Sequence, residues 1–397
     1  MRHFQSTLSG KDVCGWATHI LLGVWRTLGG LGCGGVVSPL LLVQVLVRAA
    51  AERRSLDAIV GLARNLPSAE TIRKAVLRLL PKATAELEPA IVDALHCRLP
   101  KALHRRPRTM VIDLHTKPYY GDKKTPGIYR SRRKASTKTF FAYATLLVVR
   151  KGLTFTVGLV PVVNREELTT IINKLLQQAA AKGLRPRRLL LDRGFYAAKV
   201  MLDLQRQNIP FVIPMLRRGK SGRTQQTCTG TAQFFVKGRS GWALYTWEAR
   251  IRTRGRRGRR TPVTTEVCML SEDAAAAPWV FACYGMRHLD PKEIGALYHR
   301  RFRIETSYRQ MREGLALTCS KNAVYRLLLV LIALVLRNVW LWLHWTLLAD
   351  RDEQGRRVLR LDRLRARTML HWLVRYLDHR LKIAMEIVVP NPAATAT

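Results

Sequence analysis

Acidic residues are scarce in this chain. Its 397 residues include 27 Asp plus Glu against 68 Lys plus Arg, a formal net charge of +41. The deficit excludes a surface whose charges balance one another and points to a polyanionic partner. Basic side chains that neutralise phosphates release condensed counterions, and so supply sequence-independent affinity that falls steeply with salt. A merely solubilising basic surface is the alternative. Cysteine pairs are also missing: the 7 cysteines are an odd number with no CxxC spacing. This excludes a disulfide framework and a zinc site and predicts reduced thiols in a cytosol. The stretch MRHFQSTLSGKDVCGW lacks the layout of a signal peptide, because charged and polar residues interrupt it before any apolar run. No repeat or low-complexity tract dominates, and 48% hydrophobic residues exclude global disorder and leave material for two or three folding units.

One long apolar run is present, LLLVLIALVLRNVWLWLHWTLL at residues 327–348. Hydropathy alone would permit membrane insertion, since many Leu and Val outweigh one arginine at about 3 kcal/mol. Arg337 and Asn338 sit at its centre, however, and the run stands alone, close behind the helix that carries the candidate chemistry. A buried core helix is therefore the expectation, with a membrane span as the alternative.

Residues 1–100 read as an N-terminal helical domain, with apolar runs at 40–47, 59–62 and 72–80. Within it, SLDAIVGLARNLPSAETIRKAVLRLL has the pattern of two short helices joined by a turn, with Ser68 placed to cap the second. Arg73, Lys74 and Arg78 on that second helix would face a duplex; a structural or dimer-forming role is the alternative. From Arg108 the pattern changes to β-branched runs: TMVID, FAYATLLVV, LTFTVGLVPVV, then a helix from Glu166 to Ala181, then RRLLLD and IPFVIP. Three strands, a helix and further strand and helix units predict an α/β fold. Its mixed sheet would be flanked by helices and compatible with an RNase-H-like core, whose first part spans 105–216. Residues 217–285 read as a β-rich insertion carrying the basic loop RTRGRRGRR, where Arg256 and Arg257 would touch phosphates or simply form a charged turn. Residues 286–348 complete the core, and 349–397 form a basic helical segment ending in the frayed tail NPAATAT.

Three carboxylates far apart in sequence stand out. Asp113 closes TMVID, Asp192 closes RRLLLD, and Glu305 lies in the helical stretch YHRRFRIETSYRQMR. Two strand ends and a helix face can support a pair of divalent metals about 3.5 to 4 Å apart, which stabilises the attacking and leaving oxygens of a phosphodiester. In the helix Tyr298, Arg301, Glu305 and Arg312 stand at offsets 0, 3, 7 and 14, within about 60° of arc. That face offers a phenol, a carboxylate and two guanidinium forks suited to phosphates. A solvated face of ion pairs is the competing reading. Asp122 and Asp203 are alternative ligands. His115, two residues after Asp113, would share its strand face, either orienting a carboxylate, contacting DNA or serving as a structural histidine.

The order Y-x2-R-x3-E-x6-R at Tyr298–Arg312, together with DLHTKPYYGD around Asp113 and DRGFY at Asp192, resembles the DDE transposases of prokaryotic insertion sequences. It most resembles the insertion-sequence-4-like branch, which inserts a β-rich domain into an RNase-H-like fold. The resemblance covers about 108–348. It implies that Asp113, Asp192 and Glu305 hold Mg²⁺, with Mn²⁺ able to substitute, and that Tyr298, Arg301 and Arg312 hold transposon-end phosphates. The last signature position is commonly Lys in that family and is Arg312 here. It further implies that an aromatic of the insertion, Trp242, Trp247 or Trp279, stacks on a base turned out of the duplex, against the plainer reading of core packing. The implied activity is metal-dependent cleavage of one DNA strand, after which the freed 3′ hydroxyl attacks another phosphodiester. The partners would be transposon-end and target DNA and a second copy in the synapse, with a cytoplasmic location. A non-catalytic DNA-binding derivative and a metal-dependent nuclease without strand joining remain as alternatives.

Overall fold

A computed structural model describes residues 7–29, 37–63, 65–150, 152–163, 168–220, 222, 227–253, 256–273 and 276–383; the side chains of 252–259 and 302–307 lie outside the described residues. The expected start of the helix at Glu166, the tail NPAATAT and the side chains of Arg256, Arg257 and Glu305 therefore fall outside them. The chain divides into two compact units, one of 1–98 with 309–397 and one of 99–308.

The first unit is helical. It begins with α1 (Gly10–Thr27), α2 (Pro39–Glu52), α3 (Leu56–Val60), α4 (Ala69–Leu79) and α5 (Glu88–His96). Side-chain caps start several of them: Ser9 and Asp12 form a reciprocal capping box, and Ser38, Ser55 and Ser68 each accept a backbone N–H of the first turn. The Ser68 cap and the α3-turn-α4 arrangement match the sequence reading. Arg73 and Lys74 on α4 both pair with Glu70 on the same helix, so part of the charge expected to face a duplex is met locally.

The second unit carries the sheet. Its strands are β1 (Arg108–Pro118), β2 (Tyr129–Lys134), β3 (Thr137–Arg150), β4 (Leu153–Val162), β5 (Pro186–Leu191), β6 (Phe211–Pro214), β7 (Gly241–Thr253), β8 (Arg256–Leu270) and β9 (Trp279–Tyr284). Among the described residues, three helices belong to it, α6 (Leu168–Ala180), α7 (Ala198–Arg206) and most of α8 (Pro291–Glu313). The strand order is β2-β3-β1-β5-β6-β9-β8-β7, with β4 also paired to β3. The β1–β5 and β5–β6 pairs are parallel and the rest antiparallel, the mixed sheet that the sequence predicted. Both faces are covered. Consecutive β3 residues point to opposite faces: Thr145 meets Tyr308 of α8, whereas Leu146 lies beside Gly158, against Leu175 and Gln178 of α6. Gly158 is required there, because a Cβ would come within 3.1 Å of both α6 side chains. The Gln178 amide uses that close approach to donate to the Leu159 carbonyl and accept from the Leu159 N–H, at 3.2 and 2.9 Å.

The segment read as an insertion continues this sheet, because β9 pairs with β6 and carries β8 and β7 outward.

The chain returns to the helical unit through α9 (Ala323–Thr346), followed by the short strands β10 (Asp350–Arg351) and β11 (Arg357–Val358) and by α10 (Ala366–Arg380). Where the sequence grouped 286–348 with the core, the contacts group α9 with α1, α2, α5 and α10. This helix is long and apolar enough to cross a membrane, yet 94% of its apolar window is buried within the chain. Its polar residues are met by protein: Arg337 donates to Gln310, Asn338 to the Leu95 carbonyl and Trp340 to the Leu364 carbonyl. A core helix can retain such groups because each has a partner.

Arg48, only 3% exposed in α2, pairs with Glu52 and with Asp378 of α10, each at 2.5 Å. Arg48→Ala breaks a tie between two helices, takes the arginine from Asp378 and leaves Glu52 only its 3.7 Å pair with Arg54. Its expected cost is about 2 to 3 kcal/mol of unfolding free energy, read by urea denaturation; a cost under about 0.5 kcal/mol would mean the tie is idle.

Candidate active site

The parallel pairing of β1 and β5 sets Ile112 opposite Leu191. The next residue on each strand is a carboxylate, Asp113 and Asp192, so the register alone brings them side by side. Both strands are anchored by fully buried residues, Met110 to Ile112 on one and Leu189 to Leu191 on the other. Asp192 ends its strand as expected. Its Oδ1 accepts the Arg193 N–H at 2.6 Å, and the chain folds into a 3-10 turn held by buried Phe195 and Tyr196. Asp113 differs from the expectation of a strand end. It sits in mid-strand, because β1 continues to Pro118 against β3 after its parallel neighbour has stopped. The carboxylate thus lies where one side of β1 loses its partner.

Helix α8 supplies the other wall. Tyr298, Arg301 and Tyr308 follow the 3-4-3 spacing of one helical stripe, with Glu305 as the remaining position of that series. The Tyr298 hydroxyl donates to the Leu191 carbonyl at 3.4 Å and its ring packs on Phe281. Burial pushes this phenol up to about 12, against the smaller opposite pull of Arg301, so it is a neutral donor at working pH. The Tyr308 hydroxyl bonds Thr145 Oγ1 at 2.5 Å and donates to the Asp113 carbonyl at 3.2 Å, while its ring stacks on His115. His115 is buried in that stack and shares the strand face of Asp113.

Arg301 joins the two acids. Its Nη1 lies 3.6 Å from Asp113 Oδ1 and its Nη2 3.7 Å from Asp192 Oδ1. Burial works against the guanidinium charge, but Tyr298, Asp192 and Asp113 together outweigh it, so the pKa is raised and the group stays a cation. Contacts of this length are ion pairs rather than directed hydrogen bonds, which need about 2.7 to 3.2 Å. Two carboxylates that converge on one positive charge form the oxygen-rich, anionic setting that a hard divalent cation takes. The side chain of Glu305 lies outside the described residues, and Arg312, which is exposed, belongs to the helical unit.

This geometry, two acids on adjacent strands of a mixed sheet with a helix across them, accompanies a match to the family described as Transposase DDE domain over residues 89–337. The chain belongs to that family. DDE transposases use divalent metal ions; Asp113 and Asp192 bring two carboxylates together, and among the described residues no group of three metal-ligating side chains forms. The fold is similar to that of piggyBac transposase in a synaptic complex with hairpin DNA, with a TM-score of 0.51 and 10% identity over 100% of this chain and 90% of that one. No curated protein matches the chain.

The alternative acids make local contacts. Asp122 accepts the Lys124 N–H in a turn, and Asp203 on α7 accepts from Asn173 and Gln207. Trp242 donates to the Leu289 carbonyl, and Trp247 stacks on Tyr245. Trp279 stacks on Phe281, meets His299 of α8 edge-on, and remains 42% exposed. Sequence reasoning missed Tyr308 and Thr145. Extending the helical stripe one step past Glu305 would have found the tyrosine, but nothing in sequence marks its partner 163 residues away.

Tyr308→Phe deletes both hydroxyl contacts and strands the buried Thr145 hydroxyl. The expected loss is about 1 to 2 kcal/mol, measured by denaturant unfolding; unchanged stability would show that the hydroxyl pins nothing.

Proposed function

We propose that this chain is a transposase of the insertion-sequence-4-like branch that binds the ends of its own insertion sequence, cuts DNA there and performs strand transfer. One observation carries this reading: Asp113 and Asp192, placed together by strand register, both pair with Arg301 of a helix bearing the family's signature spacing. Glu305 is proposed as the third ligand, since its position in α8 lies four residues after Arg301 and three before Tyr308, both of which reach β1. A bound divalent ion, Mg²⁺ by the hardness of the oxygen donors with Mn²⁺ able to substitute, would supply Lewis-acid stabilisation of the attacking and leaving oxygens.

The chain's own residues orient and neutralise. Tyr298 holds the end of β5, and Tyr308 holds β1 at the Asp113 peptide. Arg301, as a permanent cation beside the acids, is suited to take a DNA phosphate through its fork. Arg312, Arg256 and Arg257 are proposed as further phosphate contacts, supported by the family signature and by the basic composition of the segment. The β-rich stretch between Asp192 and α8 supports the branch assignment. Synapsis of two ends calls for a homodimer, and a prokaryotic cytoplasm is the proposed location.

Single replacement of Asp113, Asp192 or Glu305 by Ala is expected to lower end cleavage at least a hundredfold, about the cost of losing one electrostatic stabiliser, with DNA binding near normal in a gel-shift assay. Retained cleavage in any variant removes that residue from the ligand set. Pre-cut ends offered with a target duplex should be joined to it; failure to join them, with cleavage intact, leaves a nuclease instead.

A further inference from the structure

The strand that the sequence hid, β2, has an unusual composition. Its sequence is YRSRRK, it pairs only with β3, and it forms one edge of the sheet. Arg130, Arg132, Arg133, Lys134 and, across the turn, Lys138 are all exposed. Lys123 and Lys124 extend the exposed charge into the preceding loop. Among the described residues none of these cations makes an ion pair, and the nearby acid, Asp122, is engaged with the Lys124 backbone. The two-residue turn Ala135–Ser136 has φ of 47° and 62°, the left-handed pair that tight hairpins require. Tyr120 braces it, donating its hydroxyl to the Ala135 carbonyl at 2.9 Å while staying 71% exposed.

Edge strands often carry charge simply to prevent edge-to-edge pairing. Lysine suffices for that purpose, whereas three of the five hairpin cations here are arginines, whose forks match phosphate oxygens. The segment 117–138 contains no Asn or Gln, the residues that read adenine edges.

Register gives the hairpin a measurable distance from the chemistry. Asp113 lies opposite Thr145, Arg130 opposite Thr139 and Lys134 opposite Thr137. At about 3.3 Å per residue along β3, the cations therefore stand roughly 20 to 26 Å from the level of Asp113. On a duplex rising about 3.4 Å per base pair, that is about six to eight base pairs.

We propose that the β2–β3 hairpin is a sequence-independent clamp for the phosphate backbone of duplex DNA, engaging it six to eight base pairs from the phosphate being cut. This inference rests on the transposase reading above.

The test is salt-dependent binding of the full chain to two duplexes, one carrying its own terminal sequence and one unrelated, with wild type, the triple variant Arg132→Gln/Arg133→Gln/Lys134→Gln and the charge-preserving Arg132→Lys/Arg133→Lys. Three lost phosphate contacts should flatten the log–log salt slope by about 2 to 3, so that from 50 to 200 mM salt wild type loses about 40-fold more affinity than the triple variant. The change should be equal on both duplexes, and the lysine variant should keep the slope. Duplexes ending less than six base pairs from the cut on the clamped side should show no difference between wild type and triple variant. Unchanged slopes, or a change confined to one sequence, overturn the clamp. Light scattering and circular dichroism check the fold. If the triple variant aggregates, Arg132→Gln and Arg133→Gln singly should each shift the slope by about 1, and no shift in either overturns the proposal. Failure of wild type to bind any duplex would instead sink the transposase reading.

Discussion

Two like charges held side by side set the terms for everything around them. Once Ile112 pairs with Leu191, Asp113 and Asp192 stand on neighbouring strands about 5 Å apart, and their repulsion is on the order of 3 kcal/mol at an effective dielectric of about 20, less the screening at half-exposed Asp192. Relief comes from a cation, and in this structure the cation is Arg301, which reaches both acids from α8.

The same constraint explains why α8 carries so many polar residues yet packs against a sheet. Among its described side chains, Tyr298 meets the β5 carbonyl, Arg301 the two acids, and Tyr308 the β1 carbonyl and Thr145. Buried polar groups persist only where partners exist. The acidic site is also a local exception in a chain of net charge +41. A basic body attracts phosphates, while paired acids repel them unless a cation lies between.

Much of this was legible in sequence because burial leaves a periodic trace. Strands β1, β3, β4 and β5 read as apolar runs since they are covered on both faces, and the two aspartates were conspicuous as the residues that break those runs. The helix signature placed Tyr298 and Arg301 on one face, as found. The position of Arg301 between the two acids is a long-range ion pair that local spacing cannot encode. The continuity of the sheet through β9 was hidden for a similar reason. Composition reports which residues meet solvent, not which strand donates to which. The apolar run at 327–348 left two readings open until its polar side chains were seen to have protein partners.

Strand β2 escaped for the opposite reason. A strand is visible in sequence when at least one face is apolar, and here four of six residues are Arg or Lys. It exists because β3 offers unsatisfied backbone groups along its edge and a left-handed two-residue turn brings the chain back to use them. Only Tyr129 is buried deeply, so hydrogen bonding and the turn carry the strand with little help from hydrophobic burial. The other edge, β7, carries charge of both signs, with Glu248 paired to Arg260 of β8. Guarding an edge against unwanted pairing requires charge and not a single sign of it. An edge that is uniformly cationic and free of ion pairs among the described residues has a polyanion as its natural complement.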